Sequence, residues 1–478
     1  MNRRMVFNII GYIAMAEALL MLLPALVALI YLEPGGWSFV ISAAVCAVLG
    51  AVLILSSGTK DHTIYAREGF AIVALGWLLM SALGALPFVI SREIPSYIDA
   101  FFETVSGFTT TGASILRDIE ALSHCMLFWR SFTHFIGGMG VLIFIMAVIP
   151  NLADRSIHIM RAEVPGPVVG KLVPRVRDTA LILYLIYISM TVLETVLLVI
   201  GGMPLFDSLI HAFGTAGTGG FSLKNSSITD YSPYLQWVIA IFMSLFGVNF
   251  NIYYLLLRRK FRTAAGSAEL RIYYAIMITA AAVITVSILP RTSGAGEAIR
   301  LGFFQASSIM TTTGYVTAPY NDWPQLAKTV IFILMFIGSC AGSTGGGVKV
   351  TRVIMLFKSI GREIKRLIHP RAVARVGFEG KPLDDHTLHG VGSYFALYIA
   401  VFVCTFLLIS VDGLTFEENL SAAASCINNI GPAFGRVSAG FFDYSGFSKV
   451  VLSLAMLGGR LEIYPLLLTF LPSTWLKK

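Results

Sequence analysis

The chain has 478 residues, of which 56% are hydrophobic and only 13% are charged, and its mean hydropathy is +0.77. A soluble globular protein has no interior large enough to hide that much apolar surface, so the composition excludes the ordinary soluble classes and predicts an integral membrane protein. The formal net charge of +8 would also suit a nucleic-acid-binding protein. The basic residues are placed as in membrane proteins, however, and we expect no nucleic acid partner.

Two apolar segments open the chain. Residues 7–31 and 37–55 are nearly free of charge, and each is long enough to cross a hydrocarbon core of about 30 Å. The first segment follows Met1-Asn2-Arg3-Arg4 and superficially resembles a secretory signal, but no small-residue cleavage site closes it and further spans follow at once. We therefore interpret residues 1–58 as two retained transmembrane helices.

The rest of the chain repeats one pattern four times: a long apolar span, a short apolar segment that breaks at a glycine, and a second span. The breaks recur roughly every hundred residues and read Thr110-Thr111-Gly112, Thr218-Gly219-Gly220, Thr312-Thr313-Gly314 and Asn429-Ile430-Gly431. The predicted repeats occupy residues 66–150, 178–259, 271–357 and 388–478, with basic linkers at 151–177 and 358–387.

The short segments cannot cross a membrane, and non-helical backbone exposed to lipid would leave peptide groups unsatisfied. They must therefore line a hydrated path enclosed by protein, which four segments can do together only if they converge on one axis. The sequence thus predicts an all-α integral membrane protein. Its four pseudo-symmetric helix, pore-loop and helix repeats would surround one pore, and two extra N-terminal transmembrane helices would complete ten full spans.

The charged connections predict the orientation of the spans. If each span crosses once, the basic connections all lie on one side, which the positive-inside rule makes cytoplasmic; they are residues 3–4, 60–67, 155–177, 258–271, 349–381 and 477–478. Both termini are then cytoplasmic, and the basic connections can also contact anionic lipid. The opposite connections carry acidic residues such as Asp99, Asp207 and Glu417, which concentrate cations at an outer mouth.

The loop residues suit cation binding. A dehydrated cation needs about six to eight oxygen ligands, and an extended Thr-Thr-Gly segment presents successive carbonyls with threonine hydroxyls beside them. Glycine is needed where four backbones approach closely, and the preceding half-helices would point their partially negative C-terminal ends at the cavity. A single loop of this kind is usually a packing contact. Four in register predict a cation filter.

A glycine-rich run interrupts the second span of the third repeat. It comprises Gly338, Ser339, Cys340, Ala341, Gly342, Ser343, Thr344, Gly345, Gly346 and Gly347. Glycine costs about 1 kcal/mol per residue in a helix, so the run should unwind within the membrane and line a cavity. Small-residue packing is the alternative. A phosphate-binding loop is disfavoured because the Walker spacing and its strand context are missing.

Three further segments, together with the loops, resemble a known family. Gly137-Gly138-Met139-Gly140, Asn428-Asn429-Ile430-Gly431-Pro432 and Gly458-Gly459-Arg460-Leu461-Glu462 are similar to segments of the Trk/Ktr/HKT superfamily of cation transporters. The two extra N-terminal spans resemble its TrkH/TrkG branch. The resemblance covers essentially the whole chain and implies potassium uptake across a bacterial cytoplasmic membrane.

By this resemblance the aligned loop glycines mark a potassium filter. The first loop carries Gly112, where some sodium-preferring plant members carry serine. The implied potassium site is formed by Thr110, Thr111, Gly112, Thr218, Gly219, Gly220, Thr312, Thr313, Gly314, Asn429, Ile430 and Gly431. The second and fourth loops lack the full Thr-Thr-Gly, so the oxygen rings would be asymmetric.

The resemblance also implies a gate and partners. The glycine-rich run resembles an intramembrane loop that closes the pore, and Arg460 would lie near it, either repelling cations or bonding to Ser343 or nearby carbonyls. A purely structural ion pair with Glu462 is the alternative. The partners that the resemblance implies are a TrkA-like cytoplasmic ring of nucleotide-binding subunits and a second copy of this chain. The chain itself has no nucleotide fingerprint.

A membrane enzyme and a coupled symporter are the two alternatives to a protein with a cation filter. A membrane enzyme would need clustered catalytic or metal-binding groups, but the histidines are scattered apart from His386 and His389, and the five cysteines lack paired spacing. A proton- or sodium-coupled symporter could use the same loops as a binding site, although such transporters are usually built from two inverted repeats. The sequence leaves channel-like and coupled transport open.

Overall fold

The computed structural model describes residues 1–58, 65–140, 176–371, 376–379 and 381–475. Positions 151–175 of the predicted linker and positions 141–150 of the first predicted repeat lie outside the described residues. The basic residues Lys60, Lys477 and Lys478 also lie outside them. The regular secondary structure of the described part is helical except for one two-residue antiparallel pair, β1 (Gly377–Phe378) and β2 (Lys381–Pro382), within the predicted linker 358–387. The predicted all-α membrane fold class is confirmed.

The N-terminal helices form two of the apolar spans. Helices α1 (Arg3–Leu20) and α2 (Leu22–Ile30) make one span, and α3 (Gly36–Ser57) makes the next. Helices α1 and α3 touch at small residues, because a side-chain carbon added to Gly11 would lie 2.9 Å from the Gly50 carbonyl oxygen. Many leucine and valine side chains on their outer faces are exposed, as a lipid-facing surface requires.

The predicted first repeat contains a span, a short buried helix and a third helix. The span is α4 (Ala66–Gly84) followed by α5 (Leu86–Ser91), the short helix is α6 (Tyr97–Phe108), and α7 (His124–Gly138) comes after the loop. Helix α6 is too short to cross a membrane and is buried from Phe102 to its C-terminal end.

Glu33 joins the N-terminal helices to the first repeat. Its carboxylate accepts hydrogen bonds from the backbone N–H groups of His124 (2.8 Å) and Cys125 (3.0 Å), at the start of α7. Burial alone would raise the pKa of Glu33, but these hydrogen bonds outweigh it and lower the pKa. Tyr31 stacks on the His124 ring with 4.1 Å between ring centres, so this outer corner is held by both polar and aromatic contacts.

The predicted second repeat has the same order of elements and a sharply bent last span. It contains α8 (Val176–Ile200), α9 (Leu205–Gly217), α10 (Pro233–Phe246), α11 (Phe250–Leu257) and α12 (Phe261–Ala265). Helices α10 and α11 meet at 92°. The Asn249 side chain accepts from the Asn251 N–H and so caps the new helix after the bend.

The third and fourth predicted repeats complete the bundle. The third contains α13 (Ala268–Ile288), α14 (Ala295–Met310), α15 (Gln325–Met335) and α16 (Val350–Ile368). The fourth contains α17 (Asp385–Ile409), α18 (Phe416–Asn428), α19 (Gly446–Arg460), α20 (Tyr464–Phe470) and α21 (Pro472–Trp475). Short 3-10 turns lie at Leu289–Arg291, Tyr320–Asp322, Ser410–Asp412 and Gly435–Ser438.

The second spans of the second, third and fourth repeats are broken, whereas the sequence predicted ten full spans. In the described part, six stretches are long and apolar enough to cross a membrane, or seven if the bent pair α10 and α11 is one span. The breaks have local causes: the 92° bend after Phe246, the glycine-rich run between α15 and α16, and positive φ angles at Glu462 (58°) and Ile463 (64°) after α19. Such breaks are tolerated at membrane depth only where protein surrounds them.

The four short helices α6, α9, α14 and α18 share one electrostatic pattern. Each carries acidic residues in its first turn, namely Asp99, Asp207, Glu297, and Glu417 with Glu418. A carboxylate there stabilises the positive N-terminal end of the helix dipole, and the negative C-terminal end is left to face the loop that follows. All four helices therefore direct partial negative charge towards the predicted filter loops.

Candidate functional site

The four short helices end in the same way. Just after each helix, one residue adopts a left-handed conformation, with φ of 54°, 55°, 60° and 55° at Thr110, Thr218, Thr312 and Asn429. Glycine normally fills this position because a β-branched side chain costs about 1–2 kcal/mol there. Strain of that size persists where the surrounding structure enforces it, and such positions cluster at functional sites.

Backbone hydrogen bonds close all four helix ends as Schellman motifs. In the first loop the Thr110 N–H donates to the Gly107 carbonyl at 3.0 Å and the Thr111 N–H donates to the Ser106 carbonyl at 2.8 Å. Each of the other three loops has a bond that corresponds to the one from Thr111 to Ser106. These bonds run from the N–H to the carbonyl five residues earlier: Gly219 to Gly214 (2.8 Å), Thr313 to Ser308 (2.9 Å) and Ile430 to Ser425 (3.0 Å). The sequence predicted extended loops, but each loop begins with a hydrogen-bonded turn at its left-handed residue.

The predicted filter residues come together in a closed ring. A side-chain carbon added to Gly112 would lie 2.0 Å from the Gly219 carbonyl oxygen, so the first loop abuts the second. The same test at the other three glycines continues in chain order. The added carbon would lie 1.9 Å from the Thr313 oxygen at Gly220, 2.0 Å from the Ile430 oxygen at Gly314 and 2.6 Å from the Thr111 oxygen at Gly431. Each loop glycine thus faces the carbonyl that precedes the glycine of the next loop, and the fourth loop meets the first.

This ring places backbone oxygens from four loops around one centre, and the neighbouring side chains support them. The Thr109 and Thr111 hydroxyls are 2.8 Å apart, and the Thr311 and Thr313 hydroxyls repeat that spacing. The Asn429 side chain donates to the Thr111 hydroxyl at 3.0 Å, which links loop four to loop one. Carbonyl and hydroxyl oxygens arranged in this way are suited to replace the hydration shell of a monovalent cation.

A cavity of about 110 Å³ lies on one side of the ring. It is lined by the four loop glycines and by residues that follow them, among them Ser114, Ser222, Val316 and Pro432. These residues carry the chain away from the loops, so the cavity is an approach to the ring from the side that the sequence analysis predicts to be the outer one.

The glycine-rich run lies on the other side of the ring, directly against the loops. The Gly346 N–H donates to the Thr312 hydroxyl at 2.7 Å. Side-chain carbons added to Gly345 and Gly346 would lie 2.8 Å from the Thr311 oxygen and 2.6 Å from the Asn428 oxygen, respectively. No side chain fits between the run and the third and fourth loops, so its glycines permit the contact.

Residues from several helices hold the run in place. The Cys340 N–H donates to the Gly247 carbonyl at 3.0 Å, beside the bend between α10 and α11. Glu269, at the start of α13, accepts from the Ala341 N–H at 2.7 Å and from the Thr351 hydroxyl. The Lys349 ammonium donates to the carbonyls of the run itself, including that of Gly345. A movement of α10, α13 or α16 would therefore be transmitted to the run.

Arg460 connects the run to two other parts of the site. Its guanidinium donates to the Thr344 carbonyl (2.7 Å) in the run and to the Thr110 hydroxyl (3.2 Å) in the first loop. It also donates to the Gly137 and Gly138 carbonyls at the end of α7 (2.5 and 2.7 Å). Arg460 is 7% exposed, so these bonds form in a nearly dry environment.

Of the alternatives given for Arg460, the structure shows the bond to a carbonyl near Ser343 and not a pair with Glu462. Glu462 pairs with Arg352 through two bonds, at 2.9 and 2.5 Å, because the helix ends at Arg460 and the turn after it carries Glu462 towards α16. The Ser343 hydroxyl bonds to Ser339 and to the Cys340 carbonyl within the run. In this structure the bond from Arg460 to the run is made to the neighbouring carbonyl of Thr344.

A buried ion pair beside the ring was missed by the sequence analysis. The Arg130 guanidinium donates to the Glu103 carboxylate at 2.8 Å, and their side chains are 1% and 0% exposed. Glu103 also accepts from the Ile115 N–H (2.9 Å), while Arg130 reaches the Ser222 carbonyl (3.3 Å). The pair thereby links the exits of loops one and two. An arginine in the middle of α7, which has no other lysine, arginine, aspartate or glutamate, was the signal available in the sequence.

Replacing Arg130 with methionine should lower the thermal unfolding midpoint strongly. Glu103 would be left as an uncompensated buried charge, at a cost of about 3–5 kcal/mol. The measurement is a thermal unfolding curve of the purified protein in detergent. Arg117→Met is the matched control, because its pair with Asp443 is exposed and should be worth less than about 1 kcal/mol. Equal midpoints for the two variants would contradict a supporting role for the buried pair.

Comparison with known proteins identifies the family of this chain. The family model for TrkH, described as a cation transport protein, matches residues 36–477. The potassium uptake protein TrkH of Salmonella typhimurium is 36% identical over 481 residues, which cover 99% of this chain and 100% of that protein. TrkG of Escherichia coli K12 is 35% identical over 482 residues, with 99% and 98% covered.

A solved structure agrees with the sequence relatives. The crystal structure of the potassium transporter TrkH from Vibrio parahaemolyticus superimposes with a TM-score of 0.89 at 33% identity, covering 99% of this chain and 100% of that one. The resemblance noted in the sequence is confirmed, as is the prediction of a transporter rather than an enzyme. The chain is a multi-pass membrane protein and belongs to the TrkH family of cation transport proteins.

Proposed function

We propose that this protein takes up potassium across the cytoplasmic membrane of a bacterium, with both termini in the cytoplasm. The observation that carries the proposal is the closed ring, in which each loop glycine meets the carbonyl of the next loop. A closed ring built from four segments of one chain can enclose a path for an ion. The relatives named as potassium uptake proteins support potassium as the transported ion.

In this proposal the loops are a potassium filter. The ligands are the oxygens around the four left-handed residues and the loop glycines, including Thr111, Gly219, Thr313 and Ile430. Gly112, rather than serine, stands in the first loop and leaves the carbonyls unobstructed. The C-terminal ends of four half-helices add electrostatic stabilisation of a cation without any carboxylate in the filter.

The glycine-rich run acts as the gate in this proposal. It sits against the filter through the Gly346 bond to Thr312 and is tied to the rest of the protein by Arg460 and Glu269. Because unwound, glycine-rich backbone is inexpensive to rearrange, the run can leave the path when its anchors move. Arg460 adds a positive charge beside the path, which opposes cation passage while the run is closed.

A cytoplasmic partner and a second copy of the chain complete the proposal. The relatives are named as parts of a Trk system, which implies further components for them. In this chain α16 follows the gate directly and presents a basic surface that includes Lys358, Lys365 and Arg366. A TrkA-like ring of nucleotide-binding subunits bound there could pull on the gate through α16. We also propose a homodimer in which each chain has its own pore.

A coupled symporter is the second candidate function, in which the same loops form a binding site instead of a filter. The test is ion flux into liposomes containing the purified chain, with potassium, rubidium and sodium compared and the proton and sodium gradients varied separately. We expect potassium flux that exceeds sodium flux and needs no proton or sodium gradient. Flux that stops without one of those gradients would favour the symporter. Equal potassium and sodium flux would contradict the potassium filter.

A further inference from the structure

A buried histidine bridges the first two loops. His134 lies in α7 and is 0% exposed. Its Nδ1 atom is 2.7 Å from the Gly107 carbonyl oxygen at the end of α6, and its Nε2 atom is 3.3 Å from the Phe221 backbone nitrogen just after the second loop. The imidazole also packs on the Phe221 ring, with 4.2 Å between ring centres.

These two contacts define the state of the ring. A carbonyl oxygen can only accept a hydrogen bond and a backbone N–H can only donate one, so Nδ1 must carry the hydrogen and Nε2 must be bare. The other neutral tautomer would fail at both contacts, and the imidazolium would turn an N–H against the Phe221 N–H. Only the neutral Nδ1–H form satisfies both partners.

The backbone around His134 is shaped to admit it. Side-chain carbons added to Gly219 and Gly217 would lie 2.3 Å from the imidazole Cγ and 2.3 Å from the His134 carbonyl oxygen, respectively. Glycine at these two positions lets the second loop lie directly on α7. The imidazole therefore occupies the space between loop two and the end of the first half-helix.

Charged groups near the ring favour its neutral form. Arg130 lies one turn earlier on α7 and is paired with Glu103 of α6, while Arg460 of α19 bonds to the Gly137 and Gly138 carbonyls one turn later. The two arginines lie at the two ends of the segment of α7 that holds His134. Their positive charge opposes a further proton on the imidazole.

We propose that His134, held as the neutral Nδ1–H tautomer, is a positioning residue that sets the spacing of the first and second filter loops and thereby the preference for potassium over sodium. Gly107 carries the backbone turn that begins loop one, and Phe221 follows Gly220 at the end of loop two, so one side chain fixes both against each other. Selectivity depends on where the loop oxygens lie. The inference rests on the proposed filter.

Three variants separate hydrogen bonding from packing. His134→Phe keeps an aromatic ring against Phe221 but removes both hydrogen bonds, and we expect the potassium-to-sodium flux ratio to fall about tenfold. His134→Gln can place its Oε1 near the position of Nε2 and accept from the Phe221 N–H. His134→Asn can donate to the Gly107 carbonyl. Because each of these two variants keeps one hydrogen bond and loses the other, their ratios should lie between those of the phenylalanine variant and wild type. His124→Phe, at the exposed outer corner, is the control.

The ratio is measured in liposomes with equal amounts of protein that elutes as wild type does. A wild-type ratio in His134→Phe would overturn the proposal. So would glutamine and asparagine variants no more selective than the phenylalanine variant, because packing alone would then explain the loss. If His134→Phe does not assemble, the glutamine and asparagine variants are compared with wild type, and a wild-type ratio in both would overturn the proposal.

A second measurement reads the tautomer directly. In protein labelled with nitrogen-15 histidine, the His134 signals are those missing from the His134→Gln spectrum, and we expect a protonated Nδ1 and a bare Nε2. An Nε2–H tautomer or an imidazolium at neutral pH would overturn the proposal. The Gly112→Ser variant tests the filter itself. If that variant loses selectivity and His134→Phe does not, only the role of His134 fails.

Discussion

Replacing Gly112 with serine should abolish most of the preference for potassium, with a fall of at least about tenfold in the potassium-to-sodium flux ratio. The new side-chain carbon would lie 2.0 Å from the Gly219 carbonyl oxygen, so loops one and two must move apart. The φ angle of +78° at this position adds strain of about 1–2 kcal/mol for any residue with a side chain. Flux of each ion into liposomes is the measurement.

The control for this variant is Gly202→Ser. Gly202 has a similar φ angle of +89°, but a side chain added there meets no atom within 4 Å. Both variants therefore carry backbone strain, and only Gly112→Ser forces a filter loop to move. Selectivity that is unchanged in Gly112→Ser, in protein that assembles normally, would rule out the proposed filter. Equal losses in both variants would mean that strain alone is responsible.

Replacing Arg460 with glutamine should raise basal potassium flux about tenfold, because hydrogen bonds from a charged donor are worth about 1.5–3 kcal/mol each. The variant loses the bond to Thr344 that holds the proposed gate and removes a positive charge beside the proposed path. It also leaves the Gly137 and Gly138 carbonyls without this donor, so the thermal unfolding midpoint should fall as well. Flux is measured without any cytoplasmic partner.

Arg366→Gln is the matched control for the gate variant. Arg366 lies on the exposed part of α16 and, among the residues that the structure describes, pairs with Glu363 three residues earlier. Its loss should therefore change neither basal flux nor the unfolding midpoint measurably. Lower flux in Arg460→Gln, from protein that still elutes as wild type does, would contradict a role in keeping the gate closed. It would instead indicate that Arg460 holds the filter in its conducting shape.

Sequence patterns alone predict a large part of this protein. Hydropathy identifies the membrane class, and the recurring glycines locate four short helices with a loop after each. These features are local: whether a stretch partitions into lipid, or whether a helix breaks, depends on a few neighbouring residues. The unwinding at Gly338 to Gly347 was predictable for the same reason, and the structure has no helix between α15 and α16.

Errors arose where a local pattern was extended too far. The loops were expected to be extended, yet Thr110, Thr218, Thr312 and Asn429 are left-handed, because four converging half-helices end in a motif that usually employs glycine. Arg460 and Glu462 are neighbours in sequence, but a turn between them sends Glu462 to Arg352. Proximity along the chain does not decide the partner of a charge once the helix has ended.

Only the tertiary structure decided which residues of different repeats meet. Asn429 and Thr111 are 318 residues apart in the chain and hydrogen-bonded in the fold, and the contacts of Arg460 with the first loop and α7 span similar distances. Such contacts depend on how several helices pack at once, so no single segment encodes them. The sequence by itself determined four loops that end in glycine and carry threonine or asparagine close to it. The packing of α6, α9, α14 and α18 determined that the loops close into one ring. The ring can close because each glycine has no side chain and leaves that space to the carbonyl of the neighbouring loop.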